Sequence, residues 1–402
     1  MIRSLDDYRG IVDDAVLSEI YKKANKLSNK HIVNINSTYQ GGGVAEILHS
    51  LVILMNDVGV DAGWRILPGT QGFFTTTKRI HNALQGEAVE SDLINKEYYM
   101  DTNHRFAKFT HIIHDCVFVH DPQPLPFIKF CDKKQPWVWR CHVDLSKPQG
   151  ELWDYLKAFI LRYDIVIVSD ERYKRRDLPV EQRIIYPSID PLSWKNVDLD
   201  QETIDSHLHQ YNIPTDKPLI TQISRFDKWK DPEGVIQVFL RVKEQVDCRL
   251  ILCGSAAGDD PEGVEIYTNV VQNYHDYIEK GDILVITAED NIMVNSLQRA
   301  STVILQKSTK EGFGLTITEG LWKGKAVVAS NVGGIPNQIE NGKNGVLVDP
   351  FDFDQCAEKI IHLLEDEKYR ENIGKKAKES VRKKFLITRH LLDYLNLLID
   401  IC

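Results

Sequence analysis

The chain has 402 residues, 43% of them hydrophobic and 27% charged, with a formal net charge of −9 at pH 7 and a pI near 5.8. That length exceeds one compact core of usual size and calls for two domains or more. The acidic balance argues against a nucleic-acid surface, and no run approaches the roughly 18 to 20 uninterrupted apolar residues of a membrane span.

The N-terminal stretch MIRSLDDYRGIVDDAVLSEIYKKANKL carries acidic residues and lacks the apolar segment of a secretory signal. The expectation is a cytoplasmic protein with no nucleic-acid or membrane partner. Its seven cysteines are scattered, without a C-x-x-C pair or a Cys/His zinc spacing, and are expected to be reduced and mostly buried.

Short Val/Ile-rich runs, each followed by turn residues and a helical period, recur along the chain, the pattern of βαβ units on a parallel sheet. HIVNINS (31–37) predicts a strand, TYQGGG a loop, and Val44, Ile47, Leu48, Leu51, Val52 and Met55 the apolar stripe of a helix. Further strands are predicted at 61–67, 111–119, 136–141 and 164–169. The prolines of IIYPSIDPLSW (184–194) break the pattern, which places a domain boundary near residue 190. A second series follows: PLITQIS (218–224), RLILCGS, ILVIT, TVILQKS, AVVAS and GVLVD as strands with helices between them. From 353 onward the chain reads as helical. The fold class is therefore α/β, with two Rossmann-like domains.

Candidate chemistry lies where strands meet helices. Gly41–Gly43 would let a backbone approach a ligand, with helix N–H groups offered to an anion; a plain tight turn fits the same residues, and no G-x-G-x-x-G fingerprint is present. SRFDKWKDPEG (224–234) puts Arg225 and Lys230 at a strand's carboxyl end, where a guanidinium fork and an ammonium suit a diphosphate; the bland alternative is a solvated basic loop. STKEGFGLTITEG (308–320) places Glu311 in a loop and Glu319 just over a turn into the next helix. Two carboxylates so spaced can accept from the paired hydroxyls of a sugar and of a ribose, with the N–H groups around Gly312, Phe313, Gly314 and Leu315 left for phosphate. Their alternatives are a dipole-complementing charge for Glu311 and a solvated or capping group for Glu319. In the first half, WRCHVDLS puts His142 and Asp144 just past a strand, and FFTTTKRIHNALQG carries Lys78, His81, Asn82 and Gln85. A structural histidine is the commoner outcome for a lone His, and by composition alone the second stretch passes for an ordinary amphipathic helix.

Together, EGFGLTITE, SRFDKWKDP and SNVGGIPNQIENGKNGVLVDP resemble the retaining glycosyltransferases of the two-domain B-type (GT-B) fold, the family that includes sucrose and glycogen-type synthases. The first half, through INSTYQGGGVAEILHSLV, FFTTTKRIHNALQG, HDPQPLP and WVWRCHVDLS, is similar to glycosyltransferring trehalose synthases, and the resemblance covers nearly the whole chain. It implies an acceptor-binding domain over 1–190, a nucleotide-sugar domain over 191–383 facing it across a cleft, and a helix over 384–402 crossing back to the first domain. It implies that Arg225 and Lys230 hold the donor diphosphate, Glu319 the ribose and Glu311 the transferred glucose, with Gly42 and Gly43 near the donor phosphates and His142 beside the sugar. Lys78, His81, Asn82, Gln85 and Asp144 become acceptor candidates, as do His120 and Asp121, preferred over the second His-Asp pair at 114–115 because PQP follows them.

The activity so implied is retaining transfer from an NDP-glucose to the anomeric hydroxyl of glucose, giving α,α-trehalose. No metal is expected to be required, since Arg225 and Lys230 can neutralise the leaving group; added Mg2+ could still alter the rate. A homodimer is compatible with the sequence. Other readings are transfer to a sugar phosphate or glucan, for which Lys78 and Arg79 leave room, and a sugar-nucleotide-binding regulator without turnover. A nicotinamide-dependent oxidoreductase fails on the absent fingerprint.

Overall fold

The structure, a computed structural model, describes residues 3–254 and 261–402. The chain divides into two compact units, one running to Ser188 and resuming over Phe385–Cys402, the other spanning Ile189–Lys384. Among the described residues, no helix is long and apolar enough to cross a membrane.

The first unit contains α1 (Asp14–Ala24), β1 (His31–Asn36), α2 (Gly43–Asp57), β2 (Asp61–Ile66), α3 (Gln71–Leu84), α4 (Lys96–Phe109), β3 (Cys116–His120), β4 (Trp137–Arg140), α5 (Gly150–Ile160), β5 (Ile165–Val168) and β6 (Glu181–Ile184). Its sheet is wholly parallel, in the order β2-β1-β3-β4-β5-β6. Alternate strand residues Val33, Ile35, Val117, Val119, Trp137, Trp139, Val166 and Val168 join one core with residues of α3, α4 and α5. The intervening residues face the other way, so both faces are buried, as parallel sheets require.

Two sequence expectations need correction here. The strand predicted over 111–119 begins only at Cys116; the apolar pair before it does not enter the sheet, and Ile113 is 87% exposed. Strand β6 was not foreseen, because an edge strand reading Glu-Gln-Arg-Ile carries no apolar run.

The second unit contains α6 (Gln201–Gln210), β7 (Leu219–Ile223), α7 (Pro232–Lys243), β8 (Arg249–Gly254), α8 (Pro261–Asn273), α9 (His275–Glu279), β9 (Ile283–Thr287), α10 (Asn291–Ala300), β10 (Val303–Gln306), α11 (Leu315–Trp322), β11 (Ala326–Ser330), β12 (Val346–Val348), α12 (Phe353–Glu365) and α13 (Glu367–Lys384). Its parallel sheet runs β12-β11-β10-β7-β8-β9, with α7 and α12 in the core on one face and α6 and α10 on the other. The predicted strand RLILCGS is β8, and its Ser255 lies outside the described residues. Helices α11 and α13 approach at bare backbone: a Cβ added at Gly374 would run into the carbonyl oxygen of Gly324, which sits in a left-handed turn at φ +70° just past α11.

Helix α14 (Ile387–Ile401) belongs to the first unit, where it packs on α1 and α2. It covers a polar seam on the sheet. Asn34, Asn36, His120 and Arg140 are the buried polar residues of β1, β3 and β4 on that face. His120 contacts Asn34 Oδ1 through Nε2 at 3.1 Å and His142 Nε2 through Nδ1 at 3.2 Å. The Arg140 guanidinium donates to the carbonyls of Val168 (3.2 Å) and Ile185 (2.6 Å). From α14, His390 Nδ1 lies 2.8 Å from the Tyr186 carbonyl, and Tyr394 packs on Phe118.

Burial, aided by the Arg140 charge, lowers His120 to about 3 and holds His142 well below its ordinary value; burial and Arg389 do the same to His390. Burial raises Asp121 to about 6. The signs oppose. Each histidine is neutral in the fold and binds a proton only when unfolded, so its contribution is present above about pH 6.5 and is lost as pH falls. Asp121 gains stability as pH falls through about 6. Three groups outweigh one, so the first unit should lose on the order of 2 kcal/mol per pH unit between pH 6.5 and 5. Thermal melts across that range check this, with His390→Gln expected to flatten the slope by nearly half. In the second unit, Gly374→Ala should destabilise by about 1–3 kcal/mol despite alanine's better helix propensity, because the new methyl meets backbone that cannot yield; the urea midpoint reports it.

Candidate active site

In the second sheet the order reverses at β7: β8 continues on one side and β10 lies on the other. Loops leaving such neighbours diverge and open a crevice at the carboxyl edge, where doubly wound sheets bind ligands. The β7–α7 loop carries Arg225 and Lys230, and the β10–α11 loop carries Glu311.

Asp227, only 5% exposed, organises the first loop. Its Oδ1 accepts from Trp229 N (2.9 Å) and Lys230 N (3.1 Å), and its Oδ2 accepts from Arg225 Nη2 (3.2 Å). Lys230 forms an ion pair with Glu311. Both side chains are largely withdrawn from water, at 17% and 12% exposed, whereas that of Arg225 is 58% exposed and projects outward. Ser308 Oγ donates to Glu311 Oε2 at 3.3 Å, and Thr309 N donates to the Trp229 carbonyl at 2.8 Å, so the loops are stitched together by backbone as well as charge.

After Glu311, Gly312 and Phe313 lead to Gly314, whose left-handed backbone (φ +84°) begins α11 ahead of Leu315. Gln338 holds this turn by donating from Nε2 to the Phe313 carbonyl at 2.5 Å and accepting from Thr318 Oγ1 at 2.6 Å. Glu319 is the fifth residue of α11 and is buried, which excludes the solvated alternative. Gln298 Nε2 donates to its Oε2 (3.1 Å), and Lys195 Nζ stands 3.7 Å from its Oε1. Lys323, one turn on, donates to Asn196 Oδ1 at 3.1 Å, and burial lowers it to about 7 against the opposing pull of Glu319. Sequence reading missed Lys195, Gln298 and Lys323. Lys195 and Lys323 are unremarkable lysines in the chain, and only the fold turns them toward a carboxylate.

In the first sheet the reversal falls between β1 and β3. After β1, Gly41 and Gly42 adopt φ +80° and +84°, and Gly43 opens α2. β3 ends at His120, with Asp121 next to it at the carboxyl edge, whereas the pair 114–115 precedes β3, at the amino edge, where Asp115 accepts from His31 N. Asp121, itself at φ 64°, accepts from His142 N through Oδ1 at 2.9 Å, and the His120 and His142 rings stack with centroids 5.5 Å apart. Asp144 caps the next turn, accepting from Ser146 N at 2.7 Å. Lys78, His81, Asn82 and Gln85 share one face of α3 by their spacing, with Gln85 Nε2 3.2 Å from His81 Nδ1. The last turn of α3 abuts the loop after Asp144, since Gln149 N donates to the Ala83 carbonyl at 2.9 Å. The structure thus groups His120, Asp121 and His142 directly, and brings the α3 candidates to the neighbouring loop.

Comparison with known proteins agrees with this layout. Residues 34–175 match the family described as trehalose synthase, N-terminal domain, and residues 203–380 match glycosyl transferases group 1. A trehalose synthase of Thermococcus litoralis is 46% identical over 404 residues, spanning 98% of this chain and 97% of that protein. One from Rubrobacter xylanophilus is 40% identical, over 98% and 96%. Among solved structures, one described as trehalose-6-phosphate from E. coli bound with UDP-2-fluoro glucose superposes with TM-score 0.73 at 13% identity, covering 92% of this chain and 99% of that one. Likeness at that identity speaks for the GT-B fold, and identity of the former kind over essentially the full length makes this chain a glycosyltransferase belonging to the trehalose synthase family.

Proposed function

We propose that the enzyme transfers glucose from an NDP-glucose to the anomeric hydroxyl of a second glucose, with retention, forming α,α-trehalose. The observation that carries this reading is the Lys230–Glu311 pair at the β7/β10 reversal, with Glu319 buried beyond it in α11. An ammonium, a guanidinium and a helix start supply the charge that a departing diphosphate needs. Glu311 accepts from glucose hydroxyls and Glu319 from the ribose. The relatives named trehalose synthase support the sugar product, and UDP-2-fluoro glucose on the E. coli protein supports a nucleotide-sugar donor.

In this reading the second unit binds the donor and the first binds the acceptor. As the glycosidic C–O bond to the diphosphate breaks, Lys230 and Arg225 take up the growing negative charge, without a metal being required. The acceptor oxygen enters on the face that the diphosphate leaves, and its proton passes to a diphosphate oxygen, which gives retention without a protein nucleophile. Neutral His142 holds a sugar hydroxyl near the reacting carbon. Its protonation is so strongly disfavoured that it serves as a hydrogen-bonding group rather than a cation.

Incubating the protein with glucose and UDP-glucose or ADP-glucose should yield a trehalase-sensitive disaccharide. Nucleotide release without that product would reject glucose as acceptor, and silence with every donor would favour a binding protein. Lys230→Ala should cut kcat/KM about a hundred- to a thousand-fold while the circular dichroism spectrum is retained. Glu319→Gln should raise the donor KM roughly ten-fold with a smaller change in kcat; an unchanged donor KM would remove Glu319 from the ribose site.

A further inference from the structure

Lys307 immediately follows β10, and its side chain has no solvent exposure. A lysine is rarely enclosed in this way without a specific partner. Its ammonium is ion-paired with Asp231 and lies 4.3 Å from the centroid of the Phe353 ring. Asp231 is the residue after Lys230. It is one of three non-glycine residues with positive φ among the described residues (φ 47°), and its Oδ1 caps α7 by accepting from Gly234 N at 3.1 Å. Any Cβ at Gly234 would stand 2.5 Å from Lys307 Nζ, so the space around this ion pair is closed. At the peptide joining Lys230 to Asp231, buried Gln222 of β7 donates from Nε2 to the Lys230 carbonyl at 2.8 Å and accepts from Lys307 N at 3.0 Å.

The backbone at Lys230 is therefore gripped twice from Lys307, once through Gln222 and once through Asp231. We propose that Lys307 is a positioning residue for glycosyl transfer: its ion pair with Asp231 locks the left-handed turn that aims the Lys230 ammonium at the donor diphosphate. Lys307 is sealed from solvent and acts only through its neighbour. The inference rests on the assignment of Lys230 to the diphosphate.

A double-mutant cycle tests it, read as affinity for UDP and ADP by calorimetry in the wild type, Lys307→Met, Lys230→Ala and the double variant. If Lys307 works through Lys230, Lys307→Met weakens nucleotide binding about ten-fold in the wild-type background and less than two-fold once Lys230 is gone. Equal losses in both backgrounds, or no loss in the first, overturn the proposal. Should Lys307→Met not fold, Asp231→Asn breaks the same ion pair while keeping the side-chain shape, and the cycle is run with it under the same criteria. Unchanged affinity in Lys230→Ala alone would overturn the diphosphate assignment and this inference with it. A normal loss in Lys230→Ala with additive effects overturns this inference alone.

Discussion

Lys230 and Glu311 stand 81 positions apart in the chain, yet they meet because β7 and β10 are neighbours whose connections leave in opposite directions. The contact brings a cation and a carboxylate into a crevice where both are mostly hidden from water, a setting in which each charge acts more strongly than it would at the surface. Much of the surrounding structure serves that contact. Asp227 ties the backbone amides of Trp229 and Lys230, Gln222 holds the Lys230 carbonyl, Lys307 pairs with the following Asp231, Ser308 supports the carboxylate, and Gly314 turns the chain into α11.

In a protein of net charge −9, two adjoining loops gather the cations Arg225, Lys228, Lys230 and Lys310, with Lys228 and Lys310 lying 5.0 Å and 4.2 Å from the Trp229 ring centroid. Farther in, Glu319 is held among Gln298, Lys195 and Lys323. Lys323 shows the cost of the arrangement: an ammonium so enclosed keeps its proton only weakly, and the charge of Glu319 is what supports it.

The first unit solves a different problem. Its reversal point places histidines rather than cations at the carboxyl edge, and α14 closes the seam beneath them. Arg140 is buried and donates to two backbone carbonyls, and burial, with the Arg140 charge beside it, keeps His120 and His142 neutral. Uncharged, hydrogen-bonded rings suit the hydroxyls of a neutral sugar, and the same burial that prepares them makes this unit sensitive to acid.

The alternating Val/Ile runs and helical stripes determined the class of the fold, most of its strands and the carboxyl-edge loops that carry Arg225, Lys230, Glu311 and His142, because period and turn chemistry are local properties. The apolar run before Cys116 misled, since hydrophobicity alone does not say where a ladder starts, and Glu181–Ile184 escaped notice for the converse reason. Polar residues in or at the end of apolar strands, Asn34, Arg140, Gln222 and Lys307, are visible in the sequence but carry no sign there of their partners. Only the tertiary structure could supply those partners: strand order decides which loops become neighbours, and burial decides which charges must pair. Both arise from contacts between residues far apart in the chain, about which local pattern carries no information.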